Sequence, residues 1–363
     1  MTLTSIWAVV TAFRPEPDLL SAVAALQGEV AGVIVVDDGS GPGFDDVLGS
    51  VAGLGAVVLR LADNSGIATS LNTGIRHALD QGCDAVVTFD QDSFVTPGFV
   101  GALVSAHERA LTAGWRVGLV VPEFFAGISQ VHTRAKDATL LARHSIQSGM
   151  LLERGVFSAI GFLRDELFID LVDTEFELRC HAQGLTSVAA PGIDLAHSLG
   201  RQYERRLWGR RVSLPGIPPV VTLSTPFRYY YRVRNRIVIN REFGLKFLTW
   251  TLRDSLLEFI HFASALTIAR PRRALWSLYR AGLRDARRNR LGLIGLADQA
   301  LIALHLALRV HIDDDAGMRA LHLGVVAFRD RIEGGKLFLS CLVQRVGLGL
   351  FRQFIEPLGL LGG

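Results

Sequence analysis

Val86-Val87-Thr88-Phe89 is an apolar run that ends on Asp90-Gln91-Asp92-Ser93, with Pro97 and Gly98 soon after. Alternate residues of a strand face the same way, so Asp90 and Asp92 at its end can aim two carboxylates at one point. Hard divalent cations such as Mg2+ or Mn2+ take carboxylate, water and phosphate oxygens, so this pair suits a metal-bound diphosphate; a solvated turn is the alternative. Three further pieces carry polar groups at turn positions. Val35-Val36-Asp37-Asp38-Gly39-Ser40 closes a strand with two acids that can accept from a base N–H or a ribose hydroxyl, and Gly39 allows close backbone approach. Asp63-Asn64-Ser65-Gly66-Ile67-Ala68, followed by Asn72-Thr73-Gly74, opens a helix whose N–H groups can face phosphate or simply be capped. Phe168 to Arg179 is rich in acids: Asp170 and Asp173, three apart, share a helix face, with Glu177 a turn further on. A carboxylate there can act as a general base, or lie exposed at a helix start that favours negative charge.

The elements that must hold these residues are short. Apolar strands at 6–12, 31–36, 55–60 and 84–89 alternate with amphipathic helices near 16–27, 44–52 and 67–81, a pattern that predicts an α/β fold with a mostly parallel sheet flanked by helices. Ligands gather at the C-terminal edge of such a sheet, where Asp37, Asp38, Asp90 and Asp92 all fall. With 363 residues, 49% hydrophobic, the chain is long for one domain. Cys83, Cys180 and Cys341 are far apart, which argues against a disulfide framework or zinc site and for a reducing cytosol. The start of the chain lacks a basic leader and a cleavage site, so a secreted protein is not expected.

Charge divides the chain unevenly. Residues 1–200 carry 11 basic and 23 acidic side chains, residues 201–290 carry 20 and 5, and residues 291–363 carry 7 of each. The middle segment therefore faces anions: phospholipid head groups, a lipid diphosphate or nucleic acid. Its spacing from about 200 onward is helical. Tyr229-Tyr230-Tyr231 beside Arg228, Arg232, Arg234 and Arg236 can stack bases, but without a nucleic-acid motif the same cluster fits a lipid diphosphate at a bilayer surface. The apolar stretch 247–269 contains Arg253, Asp254, Glu258 and His261, so a spanning helix is not expected; a buried or membrane-surface helix is. Residues 291–363 show no usable motif.

Taken in order over roughly residues 6–200, these pieces resemble the inverting GT-A glycosyltransferases of the family 2 type, and within it the bacterial rhamnosyltransferases. The resemblance rests on Val36-Asp37-Asp38-Gly39-Ser40, Asn64 to Asn72, Asp90 to Ser93, Ser148-Gly149, Gly161-Phe162 and Phe168 to Arg179. Asp38 stands where this subgroup often has Asn, and Phe176 where Trp is usual. The resemblance implies a GT-A nucleotide-diphospho-sugar transferase domain over 1–200, with a donor half to about 95 and an acceptor half from about 96. A basic helical region at 201–290 and an extension at 291–363 follow. It further implies donor contacts from Asp37, Asp38, Asn64, Gly66, Asn72 and Asp90, and a divalent metal, Mg2+ or Mn2+, on Asp92 and His197. Asp173 becomes the base with Asp170 and Glu175 in support, while Ser148, Gly149 and Arg201 fall in the acceptor or phosphate region. The implied donor is dTDP-L-rhamnose. The implied acceptor is a glycan or polyprenyl-diphosphate-linked hydroxyl in cell-surface polysaccharide synthesis, on the inner face of the cytoplasmic membrane and with a homo-oligomer left open.

A dinucleotide-dependent oxidoreductase is disfavoured, because Gly39-Ser40-Gly41-Pro42-Gly43 follows two acids and lacks the G-x-G-x-x-G spacing. A sugar nucleotidyltransferase shares the donor and metal, but Ala12-Phe13-Arg14-Pro15 replaces a Gly-rich phosphate loop. A non-catalytic membrane or nucleic-acid-binding protein on a GT-A-like fold is the remaining alternative.

Overall fold

The computed structural model describes residues 3–197, 202–204, 206–207, 210–211, 220–269 and 272–295. The first 95 residues form β1 (Ile6–Ala12), α1 (Asp18–Gln27), β2 (Gly32–Asp37), α2 (Asp45–Gly53), β3 (Val57–Arg60), α3 (Ile67–Asp80) and β4 (Ala85–Asp90). α4 (Phe99–Thr112), β5 (Val117–Phe125), β6 (Ile128–Ser129), β7 (Val131–Arg134), β8 (Leu140–Ala142) and β9 (Met150–Glu153) follow, and then α5 (Arg154–Ile160), α6 (Val172–Ala182) and β10 (Thr186–Leu195). One ten-stranded sheet runs in the order β3-β2-β1-β4-β9-β5-β10-β8-β7, with β6 beside β5. β1 pairs parallel with β2 and β4, β2 with β3, and β5 with β10, while β9 runs antiparallel between β4 and β5. The sheet is therefore mostly parallel but mixed, and the reversed strand β9 splits it beside the site.

The strands read as continuous apolar runs because both faces are covered. On one face Val10, Val35 and Val87 pack with Leu19 and Val23 of α1 and Leu103 of α4. On the other, Val9, Ile34 and Val86 pack with Leu71 and Ile75 of α3 and Phe176 of α6. Ile239, Phe243, Phe247 and Trp250 join that second face.

The chain divides into two compact units, one of Met1–Arg201 with Val238–Thr251, the other of Gln202–Ile237 with Leu252–Gly363. Helix α7 (Pro226–Phe243) thus begins in one unit and ends in the other, and α8 (Leu248–Ile268) does the reverse; α9 (Arg272–Arg287) lies in the second. Short ladders pair Gln202–Glu204 with Val220–Thr222, and Arg206–Leu207 with Arg210–Arg211, where helical spacing was expected.

The Tyr and Arg cluster of α7 corrects a second expectation. Tyr229, Tyr230, Tyr231 and Arg234 are buried. Arg232 pairs with Glu258 at 3.2 Å, Arg236 with Asp254 at 2.6 Å, and Arg234 lies over the rings of Tyr230 and Tyr231. These groups form the core of the second unit, since buried cations persist only when paired. The solvent-facing side of that unit is different. Leu252, Leu256 and Phe259 are 62%, 58% and 65% exposed and form one stripe along α8. On α9, Arg273, Arg280 and Arg287 are exposed and share a face with half-exposed Trp276. Among the described residues no helix is long and apolar enough to cross a membrane.

Candidate active site

Register places Ala12 beside Asp37 and Thr11 beside Asp90, so β1, β2 and β4 end side by side. Their loops are stitched together: the Phe13 N–H donates to Gln91 Oε1 at 2.8 Å, and the Arg14 N–H donates to Ser40 Oγ at 2.6 Å. Asp37 is buried, accepts from the Ser40 N–H at 3.2 Å and from its hydroxyl, and lies 3.4 Å from Arg60 Nε. Asp38, also expected to contact the donor, is held by backbone. Its two oxygens accept from the N–H groups of Ser65 at 2.7 Å and Gly66 at 2.9 Å, which docks the loop carrying half-buried Asn64. Burial pushes the Asp38 carboxyl above its ordinary range against those bonds. Asn72, another expected donor contact, clamps a loop: its Nδ2 donates to Leu163 O and Asp165 Oδ1, both at 2.7 Å, and its Oδ1 accepts from the Leu163 N–H at 3.1 Å. Gly66, at φ +90°, approaches Phe168 so closely that a Cβ would fall 2.5 Å from its carbonyl oxygen.

Ser148 and Gly149, expected in the acceptor or phosphate region, lie against the end of β4. Buried Ser148 accepts from the Asp90 N–H at 3.1 Å and lies 2.7 Å from Ser93 Oγ. The Gly149 N–H donates to Thr88 O at 2.7 Å, and at φ +82° a Cβ there would fall 3.1 Å from the Leu195 side chain. Together they fix the end of β4 and so the D-x-D. Asp92 projects outward with 49% of its side chain exposed. A bridge between Phe94 and Ala196 brings His197 across, with Nδ1 3.5 Å from Asp92 Oδ1 and its ring 4.9 Å from that of Phe125. Asp90, Asp92 and His197 each offer a ligand atom within 4.8 Å of the others. Two carboxylates and an imidazole whose buried Nδ1 has no hydrogen-bond partner fit a divalent cation such as Mg2+ or Mn2+. Arg201 lies outside the described residues.

Asp173 stands in the first turn of α6, after a turn in which Phe168, Asp170 and Leu171 all take left-handed φ near +64° (65°, 63° and 63°). It accepts from the Thr174 N–H at 2.7 Å, and the backbone N–H of Gln147 lies close enough to favour its charged form. Burial raises its pKa to about 6, with the charges of Glu177 and Asp170 adding to the rise and the two N–H donors opposing it. Glu175, expected beside the base, is instead buried against Arg179, with Nε 2.8 Å from its Oε1. Arg179 also donates to the carbonyls of Ile160 and Phe162, so this pair locks α6 to the preceding loop. Glu177 locks the other side by accepting from the His144 N–H at 2.9 Å and the Ser145 hydroxyl at 2.7 Å.

One residue that no motif singled out ties the site together. Gln147 donates from Nε2 to Asp90 Oδ1 while its backbone N–H reaches Asp173. The only sequence signal was its place just before Ser148-Gly149.

A mostly parallel sheet with helices on both faces and an acid-rich C-terminal edge is the architecture of the GT-A fold. Residues 7–160 match the family described as Glycosyl transferase family 2. The chain is 28% identical over 277 residues, 71% of this chain and 87% of that protein, to dTDP-rhamnosyl transferase RfbF of Shigella flexneri. Among solved structures it is similar to S. aureus TarS 1-349 in complex with UDP-GlcNAc, with 14% identity over 84% of this chain and 92% of that one at a TM-score of 0.46. It spans 53% of the longer TarS chain. Glucosyl-3-phosphoglycerate synthase from Mycobacterium tuberculosis, solved with Mg2+ and uridine-diphosphate, matches at 20% identity over 53% of this chain and 71% of that one, with a TM-score of 0.37.

Proposed function

We propose that this glycosyltransferase moves a sugar with inversion from a nucleoside diphosphate to an acceptor hydroxyl, with Asp173 as the base. The observation that carries the reading is the link through Gln147 between the Asp90, Asp92 and His197 cluster and a carboxyl whose pKa is raised to about 6. At neutral pH Asp173 is ionised yet more basic than an ordinary carboxylate, which suits proton removal from an alcohol. The acceptor oxygen forms its bond to the anomeric carbon as the bond to the diphosphate oxygen breaks, and the hydroxyl proton passes to Asp173. A divalent ion, when bound, neutralises charge on the leaving diphosphate. Asp92 and His197 would hold it, with Asp90 beside them. Asp37 would meet the nucleoside at the end of β2, with Asn64 and Gly66 along the loop that Asp38 docks.

The donor is dTDP-L-rhamnose, a reading supported by the activity for which the Shigella flexneri relative is named. The acceptor is a glycan or a polyprenyl diphosphate glycan of cell-surface polysaccharide synthesis, met at the cytoplasmic face of an anionic membrane. The exposed α8 stripe and the arginines of α9 support the membrane part of this reading. Donor hydrolysis over a panel of nucleotide sugars tests the donor, with dTDP-L-rhamnose expected to be turned over fastest; a stronger response to a UDP-sugar would replace it. For the reaction, Asp173→Asn is expected to lower transfer at least about 10²-fold while nucleotide-sugar affinity holds. Unchanged turnover would remove Asp173 from the mechanism. Asp92→Ala is expected to abolish the gain in donor affinity that Mn2+ brings in calorimetry.

A further inference from the structure

We infer that Gln147 is a specificity-determining residue, holding Asp90 with one end of its side-chain amide and accepting a hydrogen bond from a hydroxyl of the transferred sugar with the other. The inference rests on the proposed roles of Asp90 and Asp173. Gln147 is 6% exposed, and most of its polar groups are already assigned. Its carbonyl accepts from the Thr88 hydroxyl and from the Met150 N–H at 3.2 Å, its backbone N–H serves Asp173, and Nε2 serves Asp90. A carboxylate can only accept, so the amide orientation is forced, and it is Oε1 that is left over. That oxygen is buried and has no hydrogen-bond partner.

The loop cannot easily turn Oε1 elsewhere. Glu177 holds the N–H groups of His144 and Ser145, and the Ile146 N–H donates to Gln130 Oε1 at 2.8 Å. The orphan acceptor is therefore fixed beside Asp90, on a residue whose backbone touches Asp173. In an inverting displacement the reacting sugar lies between the leaving diphosphate and the base, and Gln147 touches Asp90 on the proposed diphosphate side and Asp173, the proposed base. Hydroxyls are the hydrogen-bond donors a sugar brings to that place. A buried acceptor that only the right hydroxyl satisfies discriminates strongly against a ligand lacking it.

The test is calorimetry on the full chain with Mn2+, comparing dTDP with dTDP-L-rhamnose in wild type, Gln147→Leu and Gln147→Glu. In Gln147→Leu the preference for the nucleotide sugar over dTDP should fall about tenfold. In Gln147→Glu, which keeps an acceptor but sets a carboxylate against Asp90, both ligands should weaken in parallel and the preference should survive. Equal losses for the two ligands in Gln147→Leu, or no loss, would overturn the sugar contact. Gln147→Asn, one methylene shorter, is the substitute if Gln147→Leu does not fold, and is judged by the same ratio. If wild type does not bind dTDP-L-rhamnose, the donor assignment fails instead, and the ratio is measured with the nucleotide sugar chosen by the hydrolysis panel and its own diphosphate.

Discussion

Asp173 is held in the form the fold likes least. Its folded pKa of about 6 lies above the ordinary carboxyl value of 3.8, so the fold favours the protonated acid. The sign follows: the contribution of this carboxyl to stability is fullest below about pH 4 and is lost as pH rises through about 6. Asp173→Asn removes that burden, and we expect it to unfold later than wild type at pH 8 by about 1–3 kcal/mol, with little difference at pH 4. Denaturant melts at the two pH values measure this. Catalysis runs the other way, and the turnover of wild type should show an acidic limb with a midpoint near 6. Asp90 and Asp92 could be picked out from spacing and order, because a strand end and a D-x-D place their side chains locally, whereas His197 was reached only through the family resemblance. The bonds that Asn72, Asp38, Ser148 and Glu175 make within the fold were not legible, since a polar residue that clamps a loop has the same letter as one that meets a substrate. Gln147 reaches Asp90 across 57 residues of sequence, and nothing local marks such a bond.

Among the elements, the first four strands and three helices fall within two residues of their expected positions, because short apolar runs and amphipathic stretches carry their own periods. The reversal of β9 was not legible: Met150-Leu151-Leu152 is apolar on both faces whichever way it runs. Its direction matters for the site, since it delivers Gln147, Ser148 and Gly149 to the end of β4. The entry into α3 is the second element that positions chemistry. Gly66→Ala would meet Phe168 at 2.5 Å from a left-handed φ. We expect about 1–3 kcal/mol of lost stability from the backbone strain, together with weaker donor binding, as the turn before α6 shifts. Asn72→Ala leaves the Leu163 backbone groups buried without their partner and should cost about 1–3 kcal/mol, read from thermal melts.

Across the whole molecule, composition located the change of character near residue 200 but could not show that the first unit takes back Val238–Thr251. Ile239 and Phe243 are buried in its second core face, and each contributes about 1.5–3 kcal/mol of apolar burial. A chain cut at residue 200 should therefore be insoluble or melt well below the full protein, whatever its catalytic residues. Net positive charge on the middle segment has a separate consequence. The full chain should sediment with anionic vesicles and not with neutral ones, and Phe259→Ser with Leu256→Ser, or Arg273→Glu with Arg280→Glu, should weaken that binding at least about tenfold. Binding to neutral vesicles alike, or dimerisation in place of vesicle binding, would overturn the membrane assignment. The return of α7 to the first unit also sets a clock during synthesis. At about 5–20 residues per second, the 50 residues from 201 to 250 take about 3–10 s to make. Through that interval the seat for Ile239 and Phe243 stands open on an otherwise complete sheet, so this apolar hollow is where a nascent chain would be caught by a chaperone or by a neighbouring copy.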